Sequence, residues 1–309
     1  MTELSDTQID ALIQLGRELQ QRDYKFVTIT PASHERVLAR ASRAATGLRD
    51  VFGWNLPFEP GLVSASVLAC LERAQLLEPH ADKLRSTVRF STLGPRLIAH
   101  SGFPTHDEHA VFFGPDTYRF AAFIARAARA ARNIVDLGCG TGAGGLLLSE
   151  QKPQRLVLSD TNLRALSFAR VNAALAGVEV ELIHSDILQS VNGELDLIVA
   201  NPPYMRDQAG RTYRDGGGSY GEELSVRIVR EALPRLAASG SLLLYTGAPI
   251  VAGIDKFYES VEPILAQHKR IAQVEYEELD VDVFGEELST PDYAEVERIA
   301  AVALTVRLM

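Results

Sequence analysis

From residue 116 onward, short apolar runs alternate with helix-length segments, and this alternation constrains the fold more than any other feature. The pattern predicts helices at about 116–131, 142–150, 162–176, 221–238 and 253–268. Between them it predicts strands at Asn133–Asp136, Arg155–Leu158, Val178–Ile183, 195–200 and Ser241–Tyr245. Two longer strands, near 271–281 and 298–308, close the chain with no helix between them. Strands alternating with helices argue for an α/β fold whose parallel sheet is covered on both faces, with the last two strands as an antiparallel edge.

The first hundred residues follow a different rhythm. Residues 5–21, 33–50 and about 63–77 read as helices, the second capped around Pro31-Ala32-Ser33. Two short strands, Val88–Ser91 and Leu97–His100, flank a turn at Gly94-Pro95. Helices followed by a hairpin predict a smaller, mainly helical, winged-helix-like domain over residues 1–108. A linker from Gly102 to His109 would join it to a second domain over 109–309.

Composition narrows the function classes. The chain has 309 residues, 46% apolar and 23% charged, with a net charge of −9. Residues 1–109 are nearly balanced, with 12 basic and 13 acidic residues, so residues 110–309, with 19 and 27, hold the excess. An acidic chain without a basic face disfavours a long nucleic acid as partner. The acidic, polar first ten residues and the lack of an apolar run near ~20 residues predict no secretory signal and no membrane span. Two cysteines, Cys70 and Cys139, make no disulfide framework, which fits a cytoplasmic protein.

Four predicted strand ends carry the chemistry. After the first comes Asp136-Leu137-Gly138-Cys139-Gly140-Thr141-Gly142, whose alternating glycines let backbone approach a ligand at a helix start. Taken alone, Gly138-x-Gly140-x-x-Ala143 also satisfies the dinucleotide fingerprint. Asp160, at the second strand end, can hold the ribose hydroxyls of either kind of ligand. At the third, Asp186 can accept from an adenine amine while Ile187 packs on the ring. The fourth ends in Asn201-Pro202-Pro203-Tyr204. Two prolines lock φ and remove two donors, and the first holds Asn201 out of the helical region. Asn201 and the Pro202 carbonyl form a rigid acceptor pair suited to gripping an –NH2 group, with Tyr204 as an aromatic face.

This set, in this order, resembles the class I S-adenosylmethionine-dependent methyltransferases, in the branch with an Asn-Pro-Pro-Tyr motif. The resemblance implies a Rossmann-like seven-stranded methyltransferase sheet and S-adenosyl-L-methionine as cofactor. It implies cofactor contacts from Asp136, Gly138, Gly140, Gly142, Asp160, Asp186, Ile187 and Asn201. Catalysis would fall to Asn201, Pro202 and Tyr204, acting on a planar exocyclic or amide nitrogen. Gly114-Pro115-Asp116-Thr117 and Asp215-Gly216-Gly217 are further similar to segments of the HemK/PrmC release-factor glutamine methyltransferases. The acceptor so implied is a protein glutamine, in a translation release factor. A nucleobase amine in RNA or DNA and a natural-product amine or amide are the alternatives within enzymes. A cofactor-sensing DNA-binding regulator is the alternative outside them.

Other features have plainer readings. Arg36, Arg40 and Arg43 are expected to form a solvated helix face rather than a phosphate contact. His106-Asp107-Glu108-His109 has metal-ligand residue types but no completing cluster, so no metal is expected. Cys139 reads as a small filler in the glycine turn. The acidic run from Glu275 to Glu287 reads as an exposed edge. Phe112 and Phe113 fit either a wall of the cofactor site or the core.

Overall fold

A computed structural model describes residues 3–40, 44–105, 107–207, 211 and 213–309. Arg43 and His106 lie outside the described residues. The described residues of the N-terminal unit form four α-helices, α1 (Asp6–Gln21), α2 (Pro31–Leu38), α3 (Leu48–Phe52) and α4 (Ala65–Arg73). Two hairpins follow, β1 (Leu77–His80) with β2 (Lys83–Ser86) and β3 (Val88–Leu93) with β4 (Arg96–Ser101). Helix α1 starts on a capping box in which Ser5 and Gln8 satisfy each other's backbone N–H, and it buries the stripe Ile9, Leu12, Leu15 and Leu19.

The single helix expected over 33–50 is two. Thr30, not Ser33, caps α2, its Oγ1 accepting from the Ser33 N–H at 3.3 Å. Before α3, the Asp50 carboxylate accepts from both the backbone N–H and the hydroxyl of Thr46, a local turn that competes with helix continuation. The helix expected to reach residue 77 stops at Arg73, with Gln75 in the left-handed region, and the β1–β2 hairpin was not anticipated. Two hairpins therefore follow the helices, where the sequence suggested one.

The remainder alternates as expected. Helices α5 (Pro115–Ala127), α6 (Ala143–Leu148), α7 (Leu163–Ala176), α8 (Glu223–Ala232) and α9 (Lys256–Gln267) accompany eight strands. These are β5 (Asn133–Leu137), β6 (Arg155–Asp160), β7 (Glu181–His184), β8 (Leu195–Ala200), β9 (Leu236–Val251), β10 (Ile254–Asp255), β11 (Ile271–Asp280) and β12 (Arg298–Leu308). Seven of them lie in the order β11-β12-β9-β8-β5-β6-β7, with the two-residue β10 paired to β9. Strands β7, β6, β5, β8 and β9 are parallel, and β12 and β11 add antiparallel. The strand order reverses between β5 and β8, which is where a doubly wound sheet opens a crevice for ligands. Helix α8 is shorter than expected because Pro234 breaks it, and β9 begins at once and runs far past Tyr245 between β8 and β12.

One core face of the sheet packs against Val229 and Phe257, the other against Phe120 and Ile124. The core of the N-terminal unit continues into α7 through Ala165, Phe168, Val171 and Leu175. Buried Asn172 reinforces that junction. Its Nδ2 donates to the Ala99 and Thr141 carbonyls (3.0 and 2.9 Å), and its Oδ1 accepts from the Ala99 N–H (2.7 Å). Among the described residues, no helix is long and apolar enough to cross a membrane.

Candidate active site

A cavity of about 460 Å³ opens at the carboxyl ends of β5, β6 and β8 and the loop after β7. Its floor is the turn between β5 and α6. Gly138, Gly140 and Gly142 all have positive φ (60°, 52° and 76°), which side-chain-bearing residues adopt at a cost. A Cβ at Gly138 or Gly140 would meet nothing within 4 Å, so the space above these residues is open to a ligand. At Gly142 it would come within 3.0 Å of Leu158, so that glycine serves helix–strand packing.

Asp160 braces the turn. One carboxylate oxygen accepts from the Gly140 N–H at 2.9 Å, the other from the Asn162 N–H at 2.8 Å. Burial raises its pKa against the pull of those N–H groups. Asp136 is buried beneath the same turn, where its carboxylate accepts from the Gly145 N–H at 2.8 Å. Burial, with the neighbouring Asp160 charge, pushes Asp136 up to about 7. Two acids under one cavity form a site that gains from a cationic ligand. Burial also raises the Cys139 thiol well above its ordinary value, so it is a wall and not a nucleophile.

Asp186 and Ile187 also line the cavity. The Asp186 carboxylate is shared, however, with Arg227 of α8 at 2.9 Å and Gln189 at 3.2 Å. Arg227 had no signal in the sequence beyond its place on a predicted helix.

The Asn-Pro-Pro-Tyr segment divides. Asn201, Pro202 and Pro203 line the cavity, and the Asn201 side chain has no hydrogen bond to any described residue. Tyr204 does not line it. Its ring is 5% exposed and lies so close over Gly247 that a Cβ there would meet it at 2.3 Å. Its hydroxyl donates to Asp116 at 2.7 Å, and Tyr245 donates to the other oxygen of that carboxylate at 2.9 Å. Arg119 adds a third donor at 3.2 Å. The expectation that Tyr204 offers its face to an acceptor is therefore not met, because a buried carboxylate draws the hydroxyl inward. Burial raises the Asp116 pKa while the two tyrosines and Arg119 oppose the rise.

Aromatic walls come from elsewhere. Phe112 and Tyr213 both line the cavity and stack in parallel, 5.9 Å apart at 2°. Phe113 faces the core instead, packed on His100 and Tyr118. Tyr213 lies in a segment without regular structure, so periodicity could not point to it. That segment is clamped to the loop that follows β8. The Met205 N–H donates to the Arg214 carbonyl at 3.0 Å, the Met205 carbonyl accepts from the Gly216 N–H at 2.8 Å, and a Cβ at Gly216 would strike the Gly221 and Pro203 carbonyl oxygens at 2.0 and 2.6 Å.

Of the remaining charged features, Asp107 pairs with Arg164 at 2.9 Å, and among the described residues no group of three or more His, Cys, Asp or Glu could hold a metal ion.

A family model described as "Methyltransferase small domain" matches residues 120–252. A release factor glutamine methyltransferase of Deinococcus radiodurans is 36% identical over 123 residues, covering 36% of this chain and 44% of that protein. A ribosomal RNA small subunit methyltransferase C of Serratia proteamaculans is 31% identical over 140 residues, covering 44% of this chain and 37% of that protein. The chain thus spans less than half the length of either relative. Among solved structures, Methanocaldococcus jannaschii Trm5 in complex with adenosine aligns with a TM-score of 0.50 at 14% identity, covering 72% of this chain and 56% of that one, a likeness of fold. The residues matched by that family model include the β5, β6 and β8 strand ends that form the cavity.

Proposed function

We propose that this chain is an S-adenosylmethionine-dependent N-methyltransferase whose acceptor is a protein glutamine side-chain amide. The observation that carries the reading is Asn201, whose side chain has no hydrogen-bond partner among the described residues and which lines, ahead of two prolines, the same cavity as the open glycine turn. The residues fit the cofactor. Gly138 and Gly140 leave room where a Cβ would intrude, Asp160 keeps lone pairs for ribose hydroxyls, and the buried acids favour a cation. When bound, the cofactor supplies an electrophilic methyl group on sulfur.

The chain's own part is positioning. An amide nitrogen is a poor nucleophile because its lone pair is delocalised. The Asn201 side-chain oxygen and the Pro202 carbonyl would accept its two N–H bonds and turn the lone pair toward the methyl group. The same acceptors stabilise positive charge as it develops on nitrogen. Orientation of this kind supplies much of the acceleration in an in-line displacement. Phe112 and Tyr213, rather than Tyr204, provide flat surfaces for the planar group.

The net charge of −9 supports a protein acceptor over an RNA one, although relatives of both kinds match. A labelled-methyl assay on lysate, split into protease and nuclease arms, tests the choice. Label lost to protease and kept after nuclease is expected. Label that survives protease and disappears with nuclease would overturn the glutamine reading. Asn201→Ala should lower turnover by about two orders of magnitude, the equivalent of ~3 kcal/mol in the transition state.

A further inference from the structure

A second, much smaller cavity of about 30 Å³ lies between the N-terminal unit and the start of the catalytic domain. Its wall on one side is Phe112, the same residue that lines the active-site cavity on the other. At its base is Arg89 of β3, only 4% exposed. The guanidinium Nε donates to the Gly53 carbonyl at 2.9 Å, but Nη2 is buried without a hydrogen-bond partner. Among the described residues no carboxylate pairs with Arg89; its neighbours are the ring of Phe26, 5.7 Å from the guanidinium carbon, and Tyr24 and Tyr118, which burial keeps neutral. Burying a cation without an anion is costly, and the cost is recovered only when an anion arrives.

Among the described residues, the rest of the cavity lining offers no anion. His100, opposite Arg89 across the hairpin, is fully buried and kept neutral by burial and by the Arg89 charge. Its Nδ1 can only donate to the Ser101 carbonyl (3.1 Å), which makes Nε2 the acceptor for the Ser91 hydroxyl (2.9 Å). Ser91 Oγ then accepts from Thr28 at 2.6 Å. The chain ends on Thr28 at the cavity wall with every proton committed inward, so it neutralises nothing.

We infer that this cavity is a carboxylate-binding pocket, in which Arg89 receives an acidic side chain of the acceptor protein beside the residue being methylated. A planar carboxylate presents two oxygens to the guanidinium fork, and a cavity of about 30 Å³ suits a small group of that kind. The protein origin of that carboxylate rests on the proposed function; the affinity of the pocket for carboxylates does not.

The test uses the full chain and small probes. Sodium acetate should raise the melting temperature of the wild type in a saturable manner, while sodium chloride and inorganic phosphate at matched ionic strength should not. Arg89→Met should abolish the acetate response. Should that variant fail to fold, Arg89→Lys, which keeps the charge and loses the fork, should raise the acetate midpoint at least tenfold. Affinity for S-adenosylhomocysteine should stay unchanged in either variant. No saturable acetate response in the wild type, a stronger response to phosphate than to acetate, or an unaltered response in the variants would each overturn the pocket. Failure of methyl transfer to protein with the acetate response intact would overturn the functional reading and leave the pocket standing.

Discussion

Asp136 joins chemistry to stability through one proton. Its folded pKa of about 7 lies above its ordinary value of 3.8, so between those limits the folded chain binds more protons than the unfolded one. Stability of the ligand-free protein should therefore fall as pH rises from about 4 to 7 and then level off, by an amount on the order of a few kcal/mol. A cationic cofactor reverses the preference, since it favours the charged carboxylate. Its affinity should increase with pH across 7, and Asp136→Asn should flatten both profiles in thermal-shift and calorimetric titrations. Tyr204 allows a sharper distinction. Tyr204→Phe keeps the ring and removes one of the donors to buried Asp116, which should cost about 1–3 kcal/mol of stability. Because the ring does not line the cavity, acceptor KM should hardly move; a large KM effect with unchanged stability would restore a direct role in binding.

Among the elements, the acceptor loop depends on a clamp that is made of backbone. Gly216 sits where a methyl group would overlap the Gly221 and Pro203 carbonyl oxygens. Gly216→Ala should push the loop off the Asn-Pro-Pro segment and reduce kcat at least tenfold, with cofactor affinity held, as single-turnover assays with excess cofactor would show. The sequence made the sheet legible because period-two and helical patterns repeat over many residues, and strand ends were marked by glycine, aspartate and Asn-Pro-Pro. It failed where one side chain decides. Thr46 and Asp50 divide an otherwise periodic helix, and Gln75 turns the chain before an unexpected hairpin. That Asn201, Asp160, Gly138 and Gly140 share one cavity was readable because local backbone chemistry fixes where they stand. Tyr204 was misread, since its partner Asp116 is 88 positions away in sequence, and Tyr213 was missed because no pattern surrounds it.

At the scale of the molecule, the core of the N-terminal unit takes in one face of α7, a helix that packs on the central sheet. Phe168 is fully buried within that core, and Gly16 of α1 lies against Leu175. Phe168→Ala should destabilise the whole chain by about 3–5 kcal/mol and lower a single cooperative transition rather than separate two. Asn172 gives this union a further meaning. One amide holds a β4 backbone group and the carbonyl of Thr141 in the glycine turn. The molecule therefore has the properties of a caliper with locked jaws. One jaw is the proposed pocket at buried Arg89, the other the proposed grip at Asn201, and the packing along α7 sets the span between them. Acceptors would be chosen by reach, according to whether an acidic group and a nitrogen stand the right distance apart.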